Sequence, residues 1–211
     1  IRDSSTSRGL GDVYKRQRQM MTNLGQLVHK KAAEAFVAKD KAAFTLHSRR
    51  FLELLSDMDE LLYTRSEYSF DKWLTEARSW GETKEEKDLM ERDATSLVTI
   101  WGADGDPRIF DYSWREWAGL INGYYLPRWQ KFYTMLQGHL DAGTDYQEEG
   151  LPLAYGREDF RANDFYNQLA DWELAYVVQT DKARTPVTRG DELVITCLLY
   201  TSPSPRDVEE S

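Results

Sequence analysis

Trp101 to Leu136 reads WGADGDPRIFDYSWREWAGLINGYYLPRWQKFYTML, and the reading of this stretch decides the fold. It carries Trp101, Trp114, Trp117 and Trp129, four of the seven tryptophans in the chain, so much of the large apolar surface must be buried around it. Ser113 to Leu140 reads as one long helix. At about 100° per residue, Trp114, Trp117, Ala118, Ile121, Tyr125, Phe132 and Leu136 share one face. Such a stripe needs a partner surface. The helical rise makes this element roughly 42 Å long. Pro127 removes one backbone donor and crowds the carbonyl of Gly123. Both lie opposite the stripe, so the expected kink leaves the packing face intact. Gly102 to Asp111 holds two glycines, a proline and three aspartates, and reads as a loop. Trp101 and Tyr112 then stand at two helix ends facing one connection.

The segments on either side repeat the helical period. Arg18 to Val37 places Met21, Leu24, Val28, Ala32 and Ala35 on one face. Lys39-Asp40 marks a break. Lys41 to Tyr63 follows, with Phe44, Phe51, Leu55, Met58 and Leu62 inward, and the short link favours antiparallel neighbours. A brief helix covers Ser69 to Ser79, with Phe70, Trp73, Leu74 and Ala77 inward, and Gly81 stops it. A fourth opens at Thr83, with Glu86 placed to form a capping box, and Leu89, Met90, Leu97, Val98 and Trp101 line its expected buried side. Asp141 to Gly156 has no clear period and is long for a connection. Asn163 to Gln179 reads as the sixth helix, with Phe165, Leu169, Trp172, Leu174 and Tyr176. Thr185 to Gly190 reads as a loop. No internal repeat or strand pairing is visible. The expected class is all-α, a bundle of about six helices with one long, Pro-kinked central helix.

The net charge of −9 argues against a nucleic-acid partner, since phosphate backbones select basic patches. No apolar run approaches the ~18 residues of a membrane span, so no membrane partner is expected. The two ends, IRDSSTSRGLGDVYKRQ and CLLYTSPSPRDVEES, resemble translated sequencing-adapter read-through and lack apolar periodicity. Residues 1–17 and 197–211 are therefore expected to be disordered artefact, leaving 18–196 as the domain. On that reading the lone Cys197 is extraneous, the native start is missing, and the redox compartment stays open.

Trp101-Gly102, the Gly/Pro loop, Asp111-Tyr112, Trp117-Ala118-Gly119-Leu120, Tyr124-Tyr125 and Pro127-Arg128-Trp129 resemble, in order and spacing, the C-terminal helical domain of the α-N-acetylglucosaminidases. One departure is Thr95, near a place where that family often has an arginine. The resemblance implies a part of a glycoside hydrolase that removes terminal α-linked N-acetylglucosamine (GlcNAc). It implies two partners, the catalytic (β/α) barrel domain of the same full-length chain and a glycan ending in GlcNAc. It also implies an extracytoplasmic setting. The catalytic glutamates would lie on the barrel, so none is assigned here and the fragment is not expected to be active alone. The rival reading is a stand-alone helical interaction module, which should lack a large exposed apolar patch.

Trp101 and Tyr112 are the candidate substrate-binding residues, with Ile109 from the same loop. A ring beside a Gly-containing loop can stack on a sugar's apolar face; the plain alternative is that both rings fill a core or interface. Trp114, Trp117 and Trp129 read as core. Asp104, Asp106, Asp111, Glu148 and Glu149 read as solvated loop carboxylates rather than the flanking pair glycoside hydrolysis needs. The aspartates do not match a calcium loop, and His29, His47 and His139 lack paired-ligand spacing, so no metal site is expected. With no nucleotide motif either, no cofactor is expected.

Overall fold

The computed structural model describes residues 4–101, 111–146 and 164–182. Its elements are α1 (Ser4–Val37), α2 (Lys41–Leu62), α3 (Phe70–Arg78), α4 (Lys84–Leu97), a π-helical turn (Ile121–Tyr125) running directly into α5 (Leu126–Ala142), and α6 (Asp164–Val178). A 3-10 turn, Ser66–Tyr68, precedes α3. The described residues hold no strands, only an isolated bridge between Ser69 and Ala118.

α1 and α2 are antiparallel neighbours. Met21 meets Leu54 and Met58, while Phe36 meets Phe44 near the turn. The turn works because Lys39 takes a left-handed φ of 60° and the Asp40 carboxylate accepts the Ala43 N–H at 3.0 Å. α5 lies across both, burying Tyr133, Leu136 and Leu140 against Ala32, Ala35, Phe44 and Phe51. A second layer is built on Phe70, Leu74, Ala94, Val98, Leu120 and Tyr124, with Trp73, Trp117, Trp172 and Tyr176 at its edge.

Four expectations change. The first helix begins at Ser4, so Ser4 to Gln17 are helical where disorder was expected, and Tyr14 is buried against the Met21 cluster. The long helix does not start at Ser113. Residues 114–117 have no regular structure, and Ala118 bridges to the chain before α3, donating to Tyr68 O and accepting from Phe70 N. Gly119 then takes φ +84°, which an L side chain resists, and the helix begins beyond it. Trp114 is accordingly 54% exposed rather than core, whereas Trp117 and Trp129 do pack against core clusters. Third, where a kink was expected at Pro127, the structure has a π turn just before it. The Leu126 N–H reaches back to Ile121 O, and Pro127 sits in the first turn of α5, where a missing N–H costs little. The joined helix is still 22 residues long.

The fourth change concerns α4. Its capping box is present, with Glu86 N donating to Thr83 Oγ1 (3.2 Å) and Thr83 N to Glu86 Oε2 (3.1 Å). Its buried face, however, is Glu91, Ala94, Thr95 and Val98, while Leu89, Leu97 and Trp101 are at least a third exposed. Glu91 is fully buried because Arg78 donates to it at 2.6 Å and the Asp181 and Lys182 N–H groups add bonds of 2.9 and 2.6 Å. An acidic residue at the centre of the face is held by a tertiary partner that hydrophobic periodicity does not register.

Candidate functional site

α4 unwinds after Leu97, and Trp101 closes the turn. Its N–H donates to Ser96 O at 2.8 Å and its φ is +55°. A left-handed conformation costs a non-glycine residue about 1–2 kcal/mol. Asp111, at the far end of the connection, is also left-handed (φ 54°). Its N–H donates to Thr99 O at 3.0 Å, which brings the two ends of the loop together. Thr99 is itself fixed from below. Its hydroxyl donates to Thr95 O (2.7 Å), and that of the fully buried Thr95 to Glu91 O (2.8 Å). The place where the resemblance suggests an arginine thus holds a threonine bonded back into its own helix.

The consequence is contact between the two candidate rings. The Trp101 and Tyr112 centroids lie 4.9 Å apart at an interplanar angle of 57°. Neither ring is core: Trp101 is 37% and Tyr112 68% exposed. Ile109 lies outside the described residues, as do Asp104, Asp106, Glu148 and Glu149, and so does the expected long loop beyond Tyr146.

Asp111 is not a solvated loop carboxylate. Arg128, at the start of α5, donates to both its oxygens (3.0 and 2.8 Å). Arg128 Nε also lies 2.8 Å from Glu173 Oε1, a carboxylate from α6 with only 3% side-chain exposure. Burial pushes the Glu173 carboxyl above the usual carboxylate range, and the Arg128 charge pulls it part of the way back. The guanidinium is flanked by the Tyr124 and Tyr125 rings at 5.1 and 5.9 Å. Beside this trio runs a groove of about 480 Å³, walled by Trp114, Trp129, Phe132 and Phe165, with Asp111 and Arg128 at its polar edge. Glu173 was not picked out by sequence reasoning, and Arg128 only as part of the Pro127-Arg128-Trp129 motif. A charged residue between Trp172 and Leu174, in an apolar run, was the available signal for Glu173.

His29 and His139 are held by neighbouring side chains. His29 Nδ1 lies 2.9 Å from Tyr133 Oη and its ring meets Trp129 at 4.9 Å, while His139 bonds Thr144 Oγ1 at 2.8 Å. Among the described residues, one carboxylate group has metal-like spacing. Asp88, Glu91 and Asp181 bring oxygens within 4.8 Å of one another. Arg78 occupies that place, donating to Asp88 and Glu91 at 2.9 and 2.6 Å and lying 3.3 Å from Asp181. The carboxylates are already compensated, so the group reads as an ion-pair hub joining α3, α4 and the chain after α6.

The model of the alpha-N-acetylglucosaminidase (NAGLU) C-terminal domain matches residues 8–201. The chain belongs to this family. Human alpha-N-acetylglucosaminidase is 30% identical over 203 residues, which are 95% of this chain and 25% of the human protein. Among solved structures, the Clostridium perfringens glycoside hydrolase CpGH89 in complex with its substrate GlcNAc-alpha-1,4-galactose superposes with a TM-score of 0.72. It is 27% identical, over 95% of this chain and 22% of that one. The family 89 glycoside hydrolase of the same organism in complex with PUGNAc gives 0.69 at 27% identity, over 90% and 21%. The chain therefore spans about a quarter of the length of these relatives.

Proposed function

We propose that this chain is the accessory helical domain of a glycosidase that removes terminal α-linked GlcNAc. It packs on a catalytic (β/α) barrel elsewhere in the full-length protein, and Trp101 and Tyr112, with Ile109, help wall the sugar pocket. The observation that carries the reading is the Trp101–Tyr112 pair. These two rings touch each other, stay open to solvent, and are held at a cost in backbone strain in a chain of this family. Rings that served the core would be covered. Aromatic faces left open in this way suit the apolar face of a pyranose. The barrel supplies the catalytic carboxylates on this reading, so the chain contributes binding and not acid–base chemistry. Leu24, expected on the buried face of α1, is 40% exposed, and with exposed Met20 and Leu27 on the same side of α1 and exposed Trp114 it adds apolar surface of the kind an interdomain contact covers.

The test is kinetic. In the full-length protein, Trp101→Ala should lower kcat/KM for GlcNAc-alpha-1,4-galactose about tenfold, the equivalent of ~1.4 kcal/mol of lost ring contact. An unchanged kcat/KM would remove the pocket-wall role and leave a purely buttressing domain.

A further inference from the structure

Asp111, Arg128 and Glu173 come from three separate parts of the chain and meet where the loop re-enters the fold. We infer that Arg128, locked in place by Glu173, is the positioning residue for the Trp101–Tyr112 pair, acting through Asp111. The inference rests on the pocket-wall reading for its functional consequence, but not for its geometry.

Tyr112 is so exposed that packing alone cannot set where its ring stands. Its place is set by the residue before it. Asp111 is held on three sides. Its N–H is bound to Thr99 O, its carbonyl accepts from Trp114 N at 3.2 Å, and both carboxylate oxygens are taken by Arg128. Trp101, two residues past Thr99, contacts Tyr112 from the other end of the loop.

Arg128 is a fixed post rather than a mobile surface arginine. Its Nε lies in ion-pair contact with Glu173 at 2.8 Å, and a carboxylate buried to 3% exposure cannot give up its counter-charge without a large desolvation penalty. The two tyrosine rings restrict the guanidinium further. The planar fork also matters. One nitrogen serves Asp111 while another serves Glu173, a division that a lysine ammonium cannot reproduce with the same geometry. The result is a relay from α6, through α5, to the loop end that carries Tyr112.

The experiment uses fluorine NMR of the full-length protein labelled with 5-fluorotryptophan, the Trp101 signal being assigned by Trp101→Phe. Asp111→Asn is the first variant. Asparagine tolerates the left-handed backbone as aspartate does, and Asp111 is a third exposed, so no buried charge is stranded. The Trp101 signal should shift while those of Trp73, Trp129 and Trp172 stay in place. Arg128→Lys, which keeps the charge opposite Glu173, should shift the same signal, and it carries the test if Asp111→Asn melts early. In the full-length protein, Asp111→Asn should raise KM for GlcNAc-alpha-1,4-galactose about tenfold with kcat changed far less, the pattern of lost uniform binding. A Trp101 signal that stays put in folded variants would overturn the positioning role. A shifted signal with KM unchanged would uphold positioning and sink the pocket-wall reading instead.

Discussion

Asp59 makes a quantitative prediction possible, because the joined helix has no N-cap side chain of its own. α2 supplies one from across the core. Asp59 is 2% exposed, and its carboxylate accepts the Gly119 N–H at 2.8 Å, the Asn122 N–H at 3.1 Å and the Asn122 side-chain amide at 3.0 Å. The negative charge also faces the positive end of the helix dipole. Asp59→Ala leaves these donors without their acceptor. Hydrogen bonds to a charged group are worth about 1.5–3 kcal/mol each. Asn122 is exposed, so its amide regains water and counts for little. A polar cleft of about 570 Å³ beside Asp59 admits some water to the two backbone donors as well. The lower end of the range therefore applies, about 3 kcal/mol in total. For a domain of this size that is a fall in Tm of roughly 6–12 °C. Asp59→Asn keeps one acceptor oxygen and should cost about half as much. Thermal and urea unfolding followed by circular dichroism would measure both. A loss below about 0.5 kcal/mol for Asp59→Ala would refute the cross-core cap, since an ordinary surface substitution costs that much.

Arg78→Met should destabilise by about 1.5–3 kcal/mol, because it takes the closest cation from the fully buried Glu91 and leaves it Lys182 Nζ at 3.7 Å and two backbone donors. Pairing it with Glu91→Gln should recover much of the loss in a urea titration, and equal stability of the single and double variants would count against the hub. His29 gives a pH dependence. Burial lowers its pKa from 6.5, so the unfolded chain takes up the proton first. Its share of stability is complete above pH 6.5 and is lost as pH falls through that value toward the folded pKa. His47 shifts the same way, first through burial and then through Lys31 and Arg50. The His29→Gln variant should therefore show a shallower, not absent, loss of stability between about pH 7 and 5; an unchanged slope would mean that His29 is not desolvated.

Local chemistry was legible in the residues, and distant pairing was not. α2, α3 and the start of α4 lie within a residue of their expected positions, because apolar spacing, Ser69 and the Thr83–Glu86 box are all local signals. Trp114 and Trp117 fit a helical face equally well, yet the backbone at Ala118 bonds to Tyr68 and Phe70, some fifty residues earlier. Nothing in the spacing of side chains reveals that. Gly119 was the visible clue, read only as part of a motif. The same limit applies at the site. Trp101 and Tyr112 were marked by the Gly/Pro loop between them. Asp111 finds Arg128 seventeen positions on, and Glu173 lies further along still, so their convergence is a property of the packed helices.

The most direct measurement is hydroxyl-radical footprinting of the full-length protein with and without PUGNAc, the compound bound in the Clostridium perfringens relative. Trp80, 84% exposed between α3 and α4, serves as the internal reference. If the pair walls the sugar pocket, Trp101 and Tyr112 lose reactivity when PUGNAc binds and Trp80 does not. Equal reactivity of Trp101 and Tyr112 in the free and bound protein would contradict a role for this domain in holding the sugar.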